Sequence, residues 1–92
     1  MTNEIYIPNE LAETFKKLSR EERKTVVRAI DSLEEDVLGN SRFISTGSPA
    51  RGDVREARAG NLRVLFNYTA ENHSIIVTDV SSVEARELVP AL

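Results

Sequence analysis

The sequence predicts an α+β domain in which a short N-terminal strand and an αα-hairpin pack on one face of a three- to four-stranded antiparallel sheet. Three observations carry this. Apolar residues recur with helical period over positions 9–35. From position 53 they alternate as strands do. The links between the later segments, AGN and TAENH, are short and carry the Gly or Asn that positive φ angles favour, so they join only antiparallel neighbours.

The elements come in this order. EIYI, at residues 4–7, alternates and has enough β-branching for a short strand, which Pro8 would end. Leu11, Phe15 and Leu18 then recur at i, i+4 and i+7, with Lys16 and Lys17 off the stripe, as in a short amphipathic helix. Ser19 and Glu22 fit the capping box, in which the hydroxyl accepts from the third helical amide while the glutamate reaches back. A second helix should therefore start there and run to about Glu35, with Val26, Val27, Ile30 and Leu33 as its apolar face. Gly39 and Asn40 are its stop signals. So short a break between the helices implies an antiparallel hairpin, and neither helix is stable alone in water, so both need a surface to cover.

Residues 40–52, NSRFISTGSPARG, read as a long loop with a short edge strand at RFIS. DVREAR, LRVLFNY and SIIVTDV then supply the strands. The tail SSVEARELVPAL opens with Ser81 or Ser82 as an N-cap for one helical turn, or is a loose end, and Pro90 stops whatever forms. Without repeats or linkers, residues 1–92 read as one domain.

Composition limits what such a domain can hold. A chain of 92 residues buries only roughly 60–65% of its unfolded surface, which leaves little room for a deep pocket beside a core. With no cysteine, neither disulfides nor thiolate zinc sites are available. The acids are scattered rather than grouped with the single histidine, and no glycine-rich phosphate loop occurs, so neither metal nor cofactor is expected. No apolar run approaches the roughly 18 residues of a membrane span, and MTNEIYIPNE is polar where a signal peptide is apolar. The expectation is a soluble cytoplasmic protein.

A net charge of −3 argues against sequence-independent nucleic-acid binding, which rests on many cation–phosphate contacts. The charge is uneven, however. From Arg42 to Tyr68 there are five arginines (Arg42, Arg51, Arg55, Arg58, Arg63) and two acids, whereas residues 69–92 hold four acids and one arginine. Anion-binding capacity therefore sits mid-chain.

Alternation decides which side chains face away from the helices. Leu62, Val64, Phe66 and Tyr68 form the apolar set that should lie under the helices, leaving Arg63, Leu65 and Asn67 on the open face. If AG or AGNL forms the turn, Arg58 and Glu56 share the face of Arg63; an AGN loop would bring Arg55 there instead. Two guanidinia on an open face suit a phosphate or carboxylate, because the planar fork donates in pairs and stays charged. Equally, such an arginine covers the sheet with its methylenes and pairs with Glu56.

The order of elements, with VREARAGNLRVLFNYTAENHSIIVTDVSS, resembles the RelE/ParE superfamily of bacterial type II toxins, with motif-level likeness over about residues 54–80. For a RelE-like member the resemblance implies a ribosome-dependent mRNA endonuclease, in which a ribose 2′-hydroxyl attacks the neighbouring phosphate. Arg63 matches the arginine that stabilises the developing charge, with Arg58 beside it and Glu56 as a base or as a neutralising partner. After the last strand the family tends to carry a basic segment and a tyrosine; here Val83 and Val89 stand there, and Arg86 is the remaining cation. For a ParE-like member the resemblance implies inhibition of DNA gyrase by protein contact, and a member that has lost toxicity would be a small binding module. In either toxin branch a cognate antitoxin is the expected partner, joined by ribosome and mRNA or by gyrase, with no membrane. His73, in a turn, reads as solvated, and Arg20, Lys24 and Arg28 as a solvated ladder or a contact for antitoxin or RNA.

Overall fold

The computed structural model describes residues 2–47 and 52–82. Strand β1 spans Glu4–Tyr6, followed by a 3-10 turn at Asn9–Leu11, helix α1 at Ala12–Lys17 and helix α2 at Arg20–Glu35. Strands β2 (Arg42–Ser45), β3 (Asp53–Ala59), β4 (Leu62–Thr69) and β5 (Ser74–Ser82) come after them, with a 3-10 turn at Ala70–Asn72.

The capping box forms as the sequence predicts. Ser19 Oγ accepts from the Glu22 N–H at 3.1 Å, and Glu22 Oε1 accepts from the Ser19 N–H at 2.8 Å. Val26, Ile30 and Leu33 are buried against the sheet, whereas Val27 is 49% exposed. The apolar stripe of α2 is thus narrower than the sequence reading, because Val27 lies one residue, about 100° of helical turn, beyond Val26.

The sheet has five strands in the order β1-β5-β4-β3-β2. It is mixed rather than wholly antiparallel, because β1 runs parallel to β5. The strand at EIY is as expected, but it pairs with the last strand of the sheet's chain order, Glu4 opposite Ser74, which no local pattern encodes. Tertiary hydrogen bonds fix it: Glu4 N–H donates to the His73 carbonyl at 2.7 Å, and Asn3 N–H to the Glu34 carbonyl at 2.9 Å. RFIS does form an edge strand, pairing antiparallel with β3 through Arg42↔Glu56 and Phe43↔Arg55.

The β3–β4 hairpin closes on Gly60 and Asn61, with Ala59↔Leu62 as its last pair. Gly60 has φ 65°, the positive angle a two-residue hairpin turn needs and only glycine takes without penalty. This turn gives the same register as the AGNL reading, so Arg58 opposes Arg63 and Glu56 opposes Leu65.

Leu62, Val64 and Phe66 are buried under α2, and Tyr68 packs at the border of that core. On β5 the alternation breaks. Leu65 pairs with Asp79 but Phe66 pairs with Val77, leaving Thr78 as an extra residue whose hydroxyl donates to the Leu65 carbonyl at 3.2 Å. The bulge reverses the in–out sense of the strand. Ile75, Val77 and Val80 can thereby all reach the core, while Asp79 and Ser81 turn to the open face.

Candidate functional site: an arginine clamp on the open sheet face

The open face brings Arg63, Arg58 and Glu56 together, as the hairpin register requires. Glu56 is 2% exposed although no helix lies over it; arginine side chains from three strands approach its carboxylate instead. Arg58 Nε donates to Glu56 Oε1 at 2.7 Å. Arg42 Nε lies 3.6 Å from the same oxygen, and Arg63 Nη1 lies 3.6 Å from Oε2. Arg63 Nε also donates to Ser81 Oγ at 3.2 Å. Among the described residues, one carboxylate thus faces three cations, an excess of two positive charges within these ion pairs.

The three guanidinia are not equally held. The Arg63 side chain is only 15% exposed and is fixed from both neighbouring strands. Arg58 at 54% and Arg42 at 66% reach into solvent. Glu56 Oε2 has no hydrogen-bond partner among the described residues; Arg63 Nη1 approaches it to 3.6 Å. Burial acts to raise the pKa of Glu56, but the hydrogen bond from Arg58 and the charges of Arg42 and Arg58 together outweigh it, and the carboxyl is held below its ordinary 4.5. At neutral pH it is ionised and a weak proton acceptor.

Of the sequence-predicted residues, Arg63, Arg58 and Glu56 meet, while Arg86 lies outside the described residues. Arg55 faces the helices, where its Nε donates to Ser41 Oγ at 2.7 Å and its Nη2 to the Ser41 carbonyl at 3.0 Å. His73 ends the 3-10 turn with a left-handed backbone at φ 50°. It lies at the far end of β5 from Ser81, roughly 25 Å away at about 3.3 Å per residue. Two residues of the cluster are not evident from the sequence. Arg42 was recognisable as a cation on an edge strand, but its pairing with Glu56 was not. Ser81 joins only because of the Thr78 bulge. Elsewhere, Arg20, Arg23, Lys24 and Arg28 line a shallow groove around Val27 on the outer side of α2.

This architecture is the RelE-like toxin fold. Three solved structures define the likeness. The archaeal RelE–RelB complex from Pyrococcus horikoshii matches with a TM-score of 0.76 at 16% identity, over 90% of this chain and 97% of that one. The toxin–antitoxin complex RelBE2 from Mycobacterium tuberculosis matches at 0.72 and 18% identity, over 89% and 99% of the two chains. A double arginine-to-alanine mutant of E. coli toxin RelE in the free state matches at 0.64 and 15% identity, over 98% and 93%. No protein-family model matches the chain, and no curated protein matches its sequence.

Proposed function

We propose that this chain is the cytoplasmic toxin of a type II toxin–antitoxin pair, restrained by a cognate antitoxin, and that it acts as a RelE-like endonuclease on mRNA at the ribosome. The observation that carries this reading is Arg63: a guanidinium on the open face of a RelE-like fold, immobilised by Ser81 and Glu56, with two more arginines around the same carboxylate. Neighbours of the same fold solved as RelE–RelB and toxin–antitoxin complexes support the antitoxin partner.

In this reading the ribose 2′-hydroxyl gives up its proton to water as its oxygen bonds to the adjacent phosphorus, and the bond from phosphorus to the 5′-oxygen of the next nucleotide breaks, that oxygen taking a proton from water. Negative charge accumulates on the non-bridging oxygens, where fixed cations lower the barrier most. Arg63 supplies the fixed charge and Arg58 a second one at the same carboxylate. Glu56, ionised and enclosed by arginines, acts as the counter-ion that sets them in place rather than as the base. Arg86, in the C-terminal segment, is the further cation this chemistry would recruit.

Inducible expression in a bacterium with pulse labelling tests this. A rapid stop in protein synthesis is the expected result, and Arg63→Ala should abolish growth arrest at unchanged solubility. A fully toxic Arg63→Ala protein would remove the central role given to that residue. The second reading, a ParE-like inhibitor that binds DNA gyrase, is favoured by one observation: among the described residues, the one carboxylate the arginines share is ion-paired and offers no general base. A block in DNA replication with continuing protein synthesis would select it.

A further inference from the structure

We infer that Arg42, on the edge strand β2, is a substrate contact: with Arg58 and Arg63 it extends the anion site into a track for two successive phosphates of single-stranded RNA. This rests on the nuclease reading for the nature of the ligand.

The three arginines come from three adjacent strands, β2, β3 and β4, and all approach one carboxylate. Their row therefore crosses the strands instead of following one. Arg63, the most enclosed, is at the inner end, and Arg42, the most exposed, is at the free edge of the sheet. Arg42 and Arg58 each turn Nε toward Glu56 Oε1. Among the described residues no hydrogen bond engages their terminal nitrogens, the pair of donors that fits a phosphate fork, and both side chains are more than half exposed. These three cations share one carboxylate among the described residues, and Asp79 on the same face forms no ion pair with them, so positive charge is in excess around Glu56 for a polyanion. It lies along a line whose polarity runs from a buried reacting centre to an open edge. A linear chain with phosphates at regular intervals matches that line better than a single compact anion, which would need only the Arg58–Arg63 pair.

The test is binding of a fluorescent ten-nucleotide oligouridylate by anisotropy over a series of salt concentrations, using the full chain. Each phosphate contact on a single strand contributes about 0.7 to the slope of log affinity against log salt. Arg42→Ala should lower the slope by about 0.7 and weaken low-salt binding several-fold, as should Arg63→Ala. Lys17→Ala, an exposed cation at the end of α1, should leave both unchanged. Arg42 is exposed and its substitution should leave the melting curve intact, which circular dichroism checks. Overturning results are an unchanged slope for Arg42→Ala, or no binding by the wild-type chain at low salt. The assay involves no ribosome, so it separates the two readings. Growth arrest with an unaltered Arg42→Ala slope removes only the phosphate track, whereas the expected slopes without growth arrest leave the track and remove the toxin assignment.

Discussion

Arg55 and Glu56 are neighbours in sequence, both buried and both charged, and they face opposite sides of one sheet. On the helix side, Arg55 is answered by the neutral oxygens of Ser41 beside a fully buried Phe66. On the open side, Glu56 is answered by three full charges, two of which reach into water. The first arrangement anchors the loop after α2 to the sheet and stabilises structure. The second gathers three cations around one carboxylate among the described residues. The same strand therefore serves stability with one residue and, in the proposed reading, anion binding with the next.

Three substitutions can break or sharpen that contrast. The largest effect should come from Phe66→Ala, opposite Arg55 in the core: removing a fully buried ring and leaving its cavity costs about 3–5 kcal/mol, a large share of a small domain's stability, seen as a lowered urea midpoint. Arg55→Met should come next. It keeps the apolar stem but strips Ser41 of both donors, for a loss of about 1–3 kcal/mol by the same measurement. Were it neutral, the Arg55–Ser41 bonds would be incidental and the contrast would fail.

Glu56→Gln should have the smallest effect on stability, and one that depends on pH. The folded-state pKa lies below the ordinary 4.5, so the ionised carboxylate contributes stability that is present above pH 4.5 and lost as pH falls through the folded value. The gap between wild type and Glu56→Gln should accordingly be open at pH 7 and close in acid. A gap that widened on acidification would mean that burial, not the arginines, governs this carboxyl.

The helix-covered side is the more legible one in the sequence. Ser19 and Glu22 announce the start of α2, and the alternation Leu62, Val64, Phe66, Tyr68 places β4 correctly, because each signal is set by nearest neighbours and by the requirement to bury apolar area. Val27 is misplaced, since valine at the border of a stripe is compatible with either side. The open face is half legible. Alternation puts Glu56, Arg58 and Arg63 together but pictures them in water, and nothing in the local pattern says that Glu56 is enclosed by its own partners. The Thr78 bulge leaves no local trace, because an inserted residue keeps the composition of a strand unchanged while reversing the facing of every later residue in it. Ser81 therefore becomes visible as a neighbour of Arg63 only in three dimensions. The pairing of β1 with β5 is beyond reach for a different reason, being a contact between the first strand and the last.

That last contact imposes an order in time. The β3–β4 hairpin closes across a two-residue turn and can form as soon as its own residues exist. Strand β1 leaves the ribosome first, yet it has nothing to pair with until Ser74–Ile76 have been synthesised. Ser81, which holds Arg63, comes later still. The arginine row is therefore completed only when nearly all of the described chain has been made, so the earliest-made segment waits longest and the charged face is assembled last.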